Sequence, residues 1–584
     1  MKLIVRSWFA VMLALLLAVP AAALELTVLH VNDSHSYLDA TAETLLLDGT
    51  PTTARLGGWA RLARAVEDER AAKSAAKNAT SHGVVLLHAG DVVQGDLYFS
   101  KYGGRPEMEL LDRLGFDAMV LGNHEFDRGG AFLARMLGYA RLPVLAANVD
   151  ASGVPELAGR IAPFVVLDFD GEAVGIVGLT LRDTPALSNP GPGLTFSDEA
   201  AAARSAVEGL ERLGVNKIIL LTHVGLARDM ELAATVPGVD LIVGGHSHSL
   251  LGDAAAMAAL GLTVDNTYPV MVAGPLGDPV YVVTAWKWGR ALGRLDVSFD
   301  EAGRVTAARG RPLLLVGDTF ERKGADGRRQ ALAGPALEEV LAGLDRSPVA
   351  AGVPEEAATE AFLEPYRAGV AAMRHEVVGR ASADLPHIRV PGVDETGRDL
   401  PHGSLIAPLV ARSMLERLAA TGGPADLVLL NAGAVRHGLE QGDISVGMIH
   451  TMLPFGNTLV VMEMTGAQVV RALETGVSRG GGAFPYVAGL RFTADMARPE
   501  GARVRDVALV GADGGLSPLD PAHTYRVVTN DFLAGGGDGY TVMGEAVRVT
   551  DTGFVDALVF MDFVAAARIL DPPASTGVTF LPAR

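Results

Sequence analysis

Between Leu26 and about Asp296, short apolar runs rich in β-branched residues alternate with stretches whose apolar positions recur every three or four residues. Leu26–Val31, Val84–Leu87, Ala118–Leu121, Lys217–Leu221 and Leu241–Val243 lack polar alternation and predict strands buried on both faces. Gly58–Arg70, Met108–Leu114 and Ala200–Leu213 predict amphipathic helices, the last capped by Ser197-Asp198-Glu199. This alternation predicts an α/β unit with helices covering sheets. From about Arg311 to Pro354 the periodicity weakens, and a stretch rich in Gly, Ala, Arg and Pro reads as a loop-rich connector. Phe362, Tyr366, Val370 and Met373 then return at helical spacing and predict a linker helix over Glu355–Glu376. A second α/β segment follows, with helices predicted at Leu405–Ala419 and Thr465–Thr475 and strands at Leu427–Leu430, Thr458–Met462 and Tyr525–Thr529. Ala71–Asn78, rich in Ala and Lys, reads as a solvated helix end or loop.

Length fits this division, because 584 residues exceed what one core can hold. The expected parts are 1–23, 24–310, 311–376 and 377–584. The first of these has its own signature. Lys2 and Arg6 precede an apolar run from Phe9 to Val19, and Ala21-Ala22-Ala23 offers a small-residue cleavage site. That is the pattern of a secretory signal peptide. The run is about half of the roughly 20 residues that a spanning helix needs, and no later stretch is long and apolar enough to span. A periplasmic or secreted protein without a membrane span is the expectation. The chain has no cysteine, which excludes thiolate metal sites and a Cys nucleophile and leaves His, Asp and Asn as ligands. A net charge of −19 argues against nucleic-acid polymers as partners, though not against a small anionic substrate.

The candidate chemistry lies just after the predicted strands. The five strands lead into Asn32-Asp33-Ser34-His35, Gly90-Asp91, Gly122-Asn123-His124-Glu125-Phe126-Asp127, Thr222-His223 and Gly244-Gly245-His246-Ser247-His248. In open α/β sheets the crevice beyond the carboxyl ends of the strands is where ligands bind, so distant residues can converge there. Carboxylate, amide and imidazole donors together suit divalent ions such as Zn, Mn or Mg. Asp33 and His35 flank one residue, as do His246 and His248, so in an extended segment each pair faces one side. Asp91 is the natural bridging ligand between two cations, because a carboxylate can share its oxygens. His30 and His88 fall inside strand runs and read as core histidines. A lone Asp-x-His is commonplace in turns. The order of all five blocks, each at a strand end, is what carries the signal.

The Gly90-Asp91, Gly122–Glu125 and Gly245–His248 blocks resemble the calcineurin-like metallophosphoesterases. The opening Leu26–Ser36 and the extended Gly122–Asp127 block narrow the resemblance to the 5′-nucleotidase and UDP-sugar hydrolase family. The likeness continues in Asn431–Arg436, Pro454–Asn457, Asn530–Phe532 and Gly537–Tyr540. It implies an α/β (α+β) chain: an N-terminal two-sheet sandwich flanked by helices, a linker helix, and a separate C-terminal nucleotide-binding domain. It implies one metal on Asp33, His35, Asp91 and His248, and a second on Asp91, Asn123, His223 and His246. The cations would be Zn, Mn, Co or Mg. It gives His124, paired with Asp127, the role of stabilising the transition state or leaving group. Phe455 and Phe532 would sandwich the base, Arg436 would bind phosphate, and Asn431 and Asp538 would hold the ribose or orient the pocket. Arg398 lies where the family tends to place a further phosphate-binding Arg. Ala432 and Ala434 replace glycines common in the family's binding loop, and Gly403-Ser404-Leu405 departs from its Gly-Asn-Leu.

Two adjacent cations lower the pKa of a shared water and supply hydroxide near neutral pH, so no covalent intermediate is expected. Nucleotide hydrolysis by that route is the expected activity, and the resemblance implies that the second domain swings about the linker to carry substrate to the metals. Two related readings share the same metal site: a 2′,3′-cyclic phosphodiesterase with 3′-nucleotidase activity, and a UDP-sugar hydrolase. A non-catalytic periplasmic nucleotide-binding protein is the reading from another class, and the retention of every ligand position counts against it.

Overall fold

The strand Leu24–Val31 pairs on one side with Ser81–His88, in parallel, and on the other with Ala291–Phe299, antiparallel. Ala118–Val120 and Val144–Leu145 extend the parallel side, and Val305–Lys323, Thr50–Leu56 and Thr41–Leu47 extend the other, in a ten-stranded sheet among the described residues. The structure is a computed structural model and describes residues 24–75, 81–324, 328–393, 399–511 and 513–583. The expected signal segment and Arg398 lie outside them, as do residues 76–78 of the expected helix end.

A second sheet runs in the order Val270–Ala273, Pro279–Val283, Leu241–Val243, Ile218–His223, Glu172–Thr180, Phe164–Phe169. The two sheets face each other. Leu26, Val28, Val85 and Leu87 from one meet Ile176, Ile219, Leu221, Leu241 and Val243 from the other in one fully buried cluster. The outer faces are buried too: Trp59–Ala75 and Arg105–Leu114 cover the first sheet, Glu199–Arg212 and Leu226–Thr235 the second. Burial on both faces is why these strands show no alternation. Asp198 caps Glu199–Arg212 by accepting from the Ala201 amide at 2.9 Å. His30 and His88 are buried within the first sheet, held by Tyr268 and Ser34 respectively.

The stretch from Arg311 to Pro354 differs from the expected loop-rich connector. Val305–Lys323 is a 19-residue strand that pairs with Ala291–Phe299 and Thr50–Leu56. Ala350–Gly352 and Arg329–Ala331 also pair with it, and the helix Pro335–Asp345 buries Val340 and Leu344. The signal was weak because the strand is exposed over Arg309–Arg311, buried over Leu314–Val316, and irregular in register between Val316 and Phe320. No single period spans such a strand.

The linker helix runs Ala357–Met373, capped by Glu356, whose carboxylate accepts from the amides of Ala358 and Thr359. It packs Tyr366 edge-on against Tyr102 with centroids 4.9 Å apart. Beyond it, a five-stranded sheet runs Pro485–Ala488, Leu427–Asn431, Thr524–Asn530, Thr458–Thr465, Val549–Val555. The helices Ala407–Ala420, Gly466–Arg479 and Asp556–Ala567 pack on it, and a four-stranded sheet adjoins it. Among the described residues no helix is long and apolar enough to cross a membrane.

Candidate functional site

Side chains from five segments at the strand ends of the two facing sheets meet at one edge of the sandwich. The expected extended claws are absent, however. Asp33, His35, Asp91, His246 and His248 all have positive φ, between 48° and 79°. For residues with a Cβ this conformation costs about 1–3 kcal/mol and persists only where surroundings impose it. The chain turns sharply at each of these five, so they converge from tight loops and not from one face of a strand, while His223 ends the strand Ile218–His223.

Three groups of donor atoms result, each within 4.8 Å: Asp33, His35 and His248; Asp91, His223 and His246; and His35, Asp91 and His124. Asp91 is shared. Its Oδ2 lies 3.0 Å from His223 Nε2 and 3.8 Å from His35 Nε2, while Asp33 Oδ1 lies 3.5 Å from His248 Nε2. Asn123 is fully buried with neither amide atom bonded, and His223 Nε2 is likewise buried without a hydrogen-bond partner. Buried polar atoms left without a hydrogen bond beside these carboxylates fit a cation. The far nitrogens fit as well. His35 Nδ1 lies 2.8 Å from the Gln94 carbonyl and His223 Nδ1 lies 2.7 Å from the Ala89 carbonyl, so in each ring Nδ1 donates to backbone and Nε2 is the atom turned toward the cluster.

The electrostatics divide the histidines: burial disfavours the imidazolium of His223, but Asp91 and Asp33 outweigh it and raise its pKa to about 10, so a cation there would take the place of a proton. Burial holds the pKa of His35 well below its ordinary value and takes His246 to about 3, so both are neutral and able to ligate. Burial also raises Asp33, partly offset by His248 and His223. Burial alone would raise Asp91, but His223, His124 and His35 outweigh it and hold the carboxylate ionised.

His124 is placed differently. Its Nδ1 lies 2.8 Å from Asp127 Oδ2, and its backbone amide donates to Asp91 Oδ1 at 2.9 Å. Burial disfavours the imidazolium, yet Asp127 and Asp91 outweigh burial and raise its pKa to about 9. It therefore carries a proton on both nitrogens at neutral pH. Its Nε2 lies 2.6 Å from the Thr552 carbonyl, on the far sheet. The neighbouring Asp551 carboxylate lies 3.5 Å from His248 Nδ1, and a Cβ on Gly553 would meet His124 Nε2 at 2.4 Å. The tip Asp551–Gly553 thus lies directly against the donor cluster.

Glu125 has a role the sequence did not reveal. Its buried carboxylate accepts from the amides of Asp91 and Gly122 through Oε2, and of Val92 through Oε1. It ties the loop carrying Asp91 to the loop carrying Asn123 and His124.

The C-terminal candidates form a separate cavity of about 320 Å³. Asn431, Arg436, Phe455, Phe532 and Asp538 line it, and no donor of the metal cluster does. Phe455 is 53% exposed and Phe532 is 47% exposed, so neither ring is a core residue. Asn431 donates to Asp538 at 2.9 Å and accepts from Asn530 at 3.0 Å, which fixes its amide. Arg389, not singled out in the sequence, lines this cavity together with Arg436.

A model of the calcineurin-like phosphoesterase family matches residues 26–250, and one of the 5′-nucleotidase C-terminal domain matches residues 377–545. A protein of Treponema pallidum named "Probable 5′-nucleotidase" is 36% identical, covering 96% of this chain and 95% of its own. The structure of the Haemophilus influenzae NAD nucleotidase superposes with a TM-score of 0.84 at 31% identity, over 95% of this chain and 99% of its own. The Thermus thermophilus 5′-nucleotidase precursor is 38% identical over 96% and 100% of the two chains, yet superposes with a TM-score of only 0.56.

Proposed function

The chain belongs to the 5′-nucleotidase family of metal-dependent phosphoester hydrolases, and we propose that it is an exported enzyme that removes phosphate from nucleotides at a two-metal centre. The observation that carries the nucleotide reading is the cavity at Phe455 and Phe532. Two half-exposed rings stand with two arginines, a carboxylate and a fixed amide in a space the size of a nucleoside phosphate. Aromatic faces stack on any base, and Arg forks match phosphate oxygens. Asn431 and Asp538 offer a donor and an acceptor for the ribose.

Asp33, His35, Asp91 and His248 would hold one cation, and Asp91, Asn123, His223 and His246 the other. When bound, such a pair supplies an acidified water as nucleophile and neutralises charge on the phosphoryl oxygens. The rest falls to the side chains. His124 holds a proton at Nε2 for the departing 5′ oxygen, and Asp127 keeps that imidazole protonated and oriented. Glu125 keeps Asp91, Asn123 and His124 in register.

In this arrangement the cavity and the metal donors are apart, and the tip at Thr552 covers His124. A substrate held by the C-terminal part reaches the metals only if that part, residues 377–584, moves about the helix Ala357–Met373 as a domain. The low superposition of the more identical Thermus thermophilus relative supports such movement, since a different arrangement of the same two halves lowers the score without a change of fold.

A second reading concerns the bond cut. The similarity to an NAD nucleotidase favours a dinucleotide pyrophosphate as an additional substrate. Phosphate release from nucleoside 5′-monophosphates, cyclic nucleotides, UDP-sugars and NAD, each with and without chelator, tests the proposal. Metal-dependent release from 5′-monophosphates supports it. Activity confined to cyclic nucleotides or UDP-sugars overturns it.

A further inference from the structure

The carboxylate of Asp127 has two oxygens, and each has one partner. Oδ2 faces His124 Nδ1 at 2.8 Å, and Oδ1 accepts from the hydroxyl of Ser188 at 2.8 Å. An ionised carboxylate can only accept, so the Ser188 hydroxyl must donate. Ser188 is 2% exposed, and Asp127 pairs with no Lys or Arg among the described residues. The serine hydroxyl is therefore the second of two fixed points for this carboxylate.

The segment carrying Ser188 is itself pinned. Pro190 accepts from the Gly130 amide at 3.1 Å, three residues beyond Asp127. Phe196 packs edge-on against Phe126, one residue before Asp127, with centroids 5.1 Å apart. The Ser197 amide donates to the Asn148 carbonyl at 2.8 Å. Ser188, Pro190 and Phe196 thus hold the segment 126–130 at three points, and Ser197 anchors the strap to Asn148.

From this geometry we infer that Ser188 is a positioning residue for the leaving-group step. It fixes the plane of the Asp127 carboxylate, so that Oδ2 points at Nδ1 and the Nε2 proton of His124 points at the departing oxygen. Without the hydroxyl the carboxylate turns about its terminal torsion, a broad and soft coordinate. The imidazole loses its fixed direction with it. The metal donors are untouched by this change, because neither Ser188 nor Asp127 is among them. The inference rests on the proposed role of His124 as the acid, and the test separates the two.

Two baseless aryl esters isolate the step, since they need only the metal site. Phenyl phosphate has a basic leaving group that requires a proton. p-Nitrophenyl phosphate has one that departs with little help. In Ser188→Ala, kcat for phenyl phosphate should fall about tenfold or more, while p-nitrophenyl phosphate loses less than about threefold. KM, bound metal and melting temperature should stay near wild type, and Ser188→Thr, which keeps the hydroxyl, should restore the rate. Equal losses on both esters, or no loss on either, overturn the inference while His124→Ala still discriminates between them. If His124→Ala itself fails to discriminate, the acid role of His124 has failed, and the inference falls with it.

Discussion

His124 Nε2 lies 2.6 Å from the carbonyl oxygen of Thr552, 428 positions later in the chain. The proposed acid is thereby occupied by backbone from the opposite half of the protein. The contact tolerates no side chain at the next residue, since Gly553 has φ 68° and its Cβ would meet His124 Nε2 at 2.4 Å. Gly553→Ala should therefore disfavour this docked arrangement. Small-angle scattering should show a shifted interdomain distribution, and hydrolysis of p-nitrophenyl phosphate should rise as the metal site opens. Unchanged scattering with unchanged rate contradicts a blocking role for the tip.

Metal removal is the next test. With His, Asp and Asn as the donors, a strong chelator should abolish phosphate release, and Mn, Zn or Co should restore it. Asp91→Ala should be the most damaging ligand change because both proposed metals use that carboxylate. Metal analysis should find loss at both sites in Asp91→Ala. Loss of one equivalent only would contradict a shared ligand.

His124 separates chemistry from metal binding. It is held by Asp127 and stands beside the donors. His124→Ala should keep both metals and lower kcat by roughly two to four orders of magnitude. One donor grouping also includes His35, Asp91 and His124, so a mutant that loses metal would make His124 a ligand.

A pH-dependent contribution to stability is expected from Glu107, which is fully buried beside Ser36 with neither carboxyl oxygen hydrogen-bonded. Burial raises its pKa from 4.5 to about 7, eased by Ser36 and reinforced by Asp96. A carboxyl whose pKa folding raises binds its proton more tightly in the folded chain. The pH-dependent part of its burial cost is absent below pH 4.5 and grows as pH rises to about 7. The full difference is at most about 3 kcal/mol. Glu107→Gln cannot ionise, so its melting temperature relative to wild type should be higher at pH 8 than at pH 5. The same difference at both pH values would contradict a buried, protonated Glu107.

The candidate donors that the structure brings together were legible in the sequence because each stands at or just past the end of a strand buried on both faces, whose unbroken apolar run marks its own end. Their conformation was not. Asp33 and His35 reach their positions through left-handed turns, which residue spacing does not encode. Glu125 and Ser188 act through backbone amides and a carboxylate brought near by the fold, and an isolated Ser or Glu carries no such mark. Arg389 lines the C-terminal cavity without standing in any of the motifs that carry the resemblance, and Arg398 lies outside the described residues. The strand Val305–Lys323 leaves no single period in the sequence because its exposure changes along its length.

The central claim is that one part of the chain binds the nucleoside and another cuts the phosphate. It is tested most directly by Phe455→Ala and Phe532→Ala, assayed on a nucleoside 5′-monophosphate and on p-nitrophenyl phosphate. Each ring should be worth about 1–3 kcal/mol of stacking on a base. The ratio of kcat/KM for the nucleotide to that for the small ester should fall by the corresponding factor, roughly 5-fold to 150-fold, with the small ester almost unaffected. Equal losses on both substrates, or no loss on either, would contradict the account.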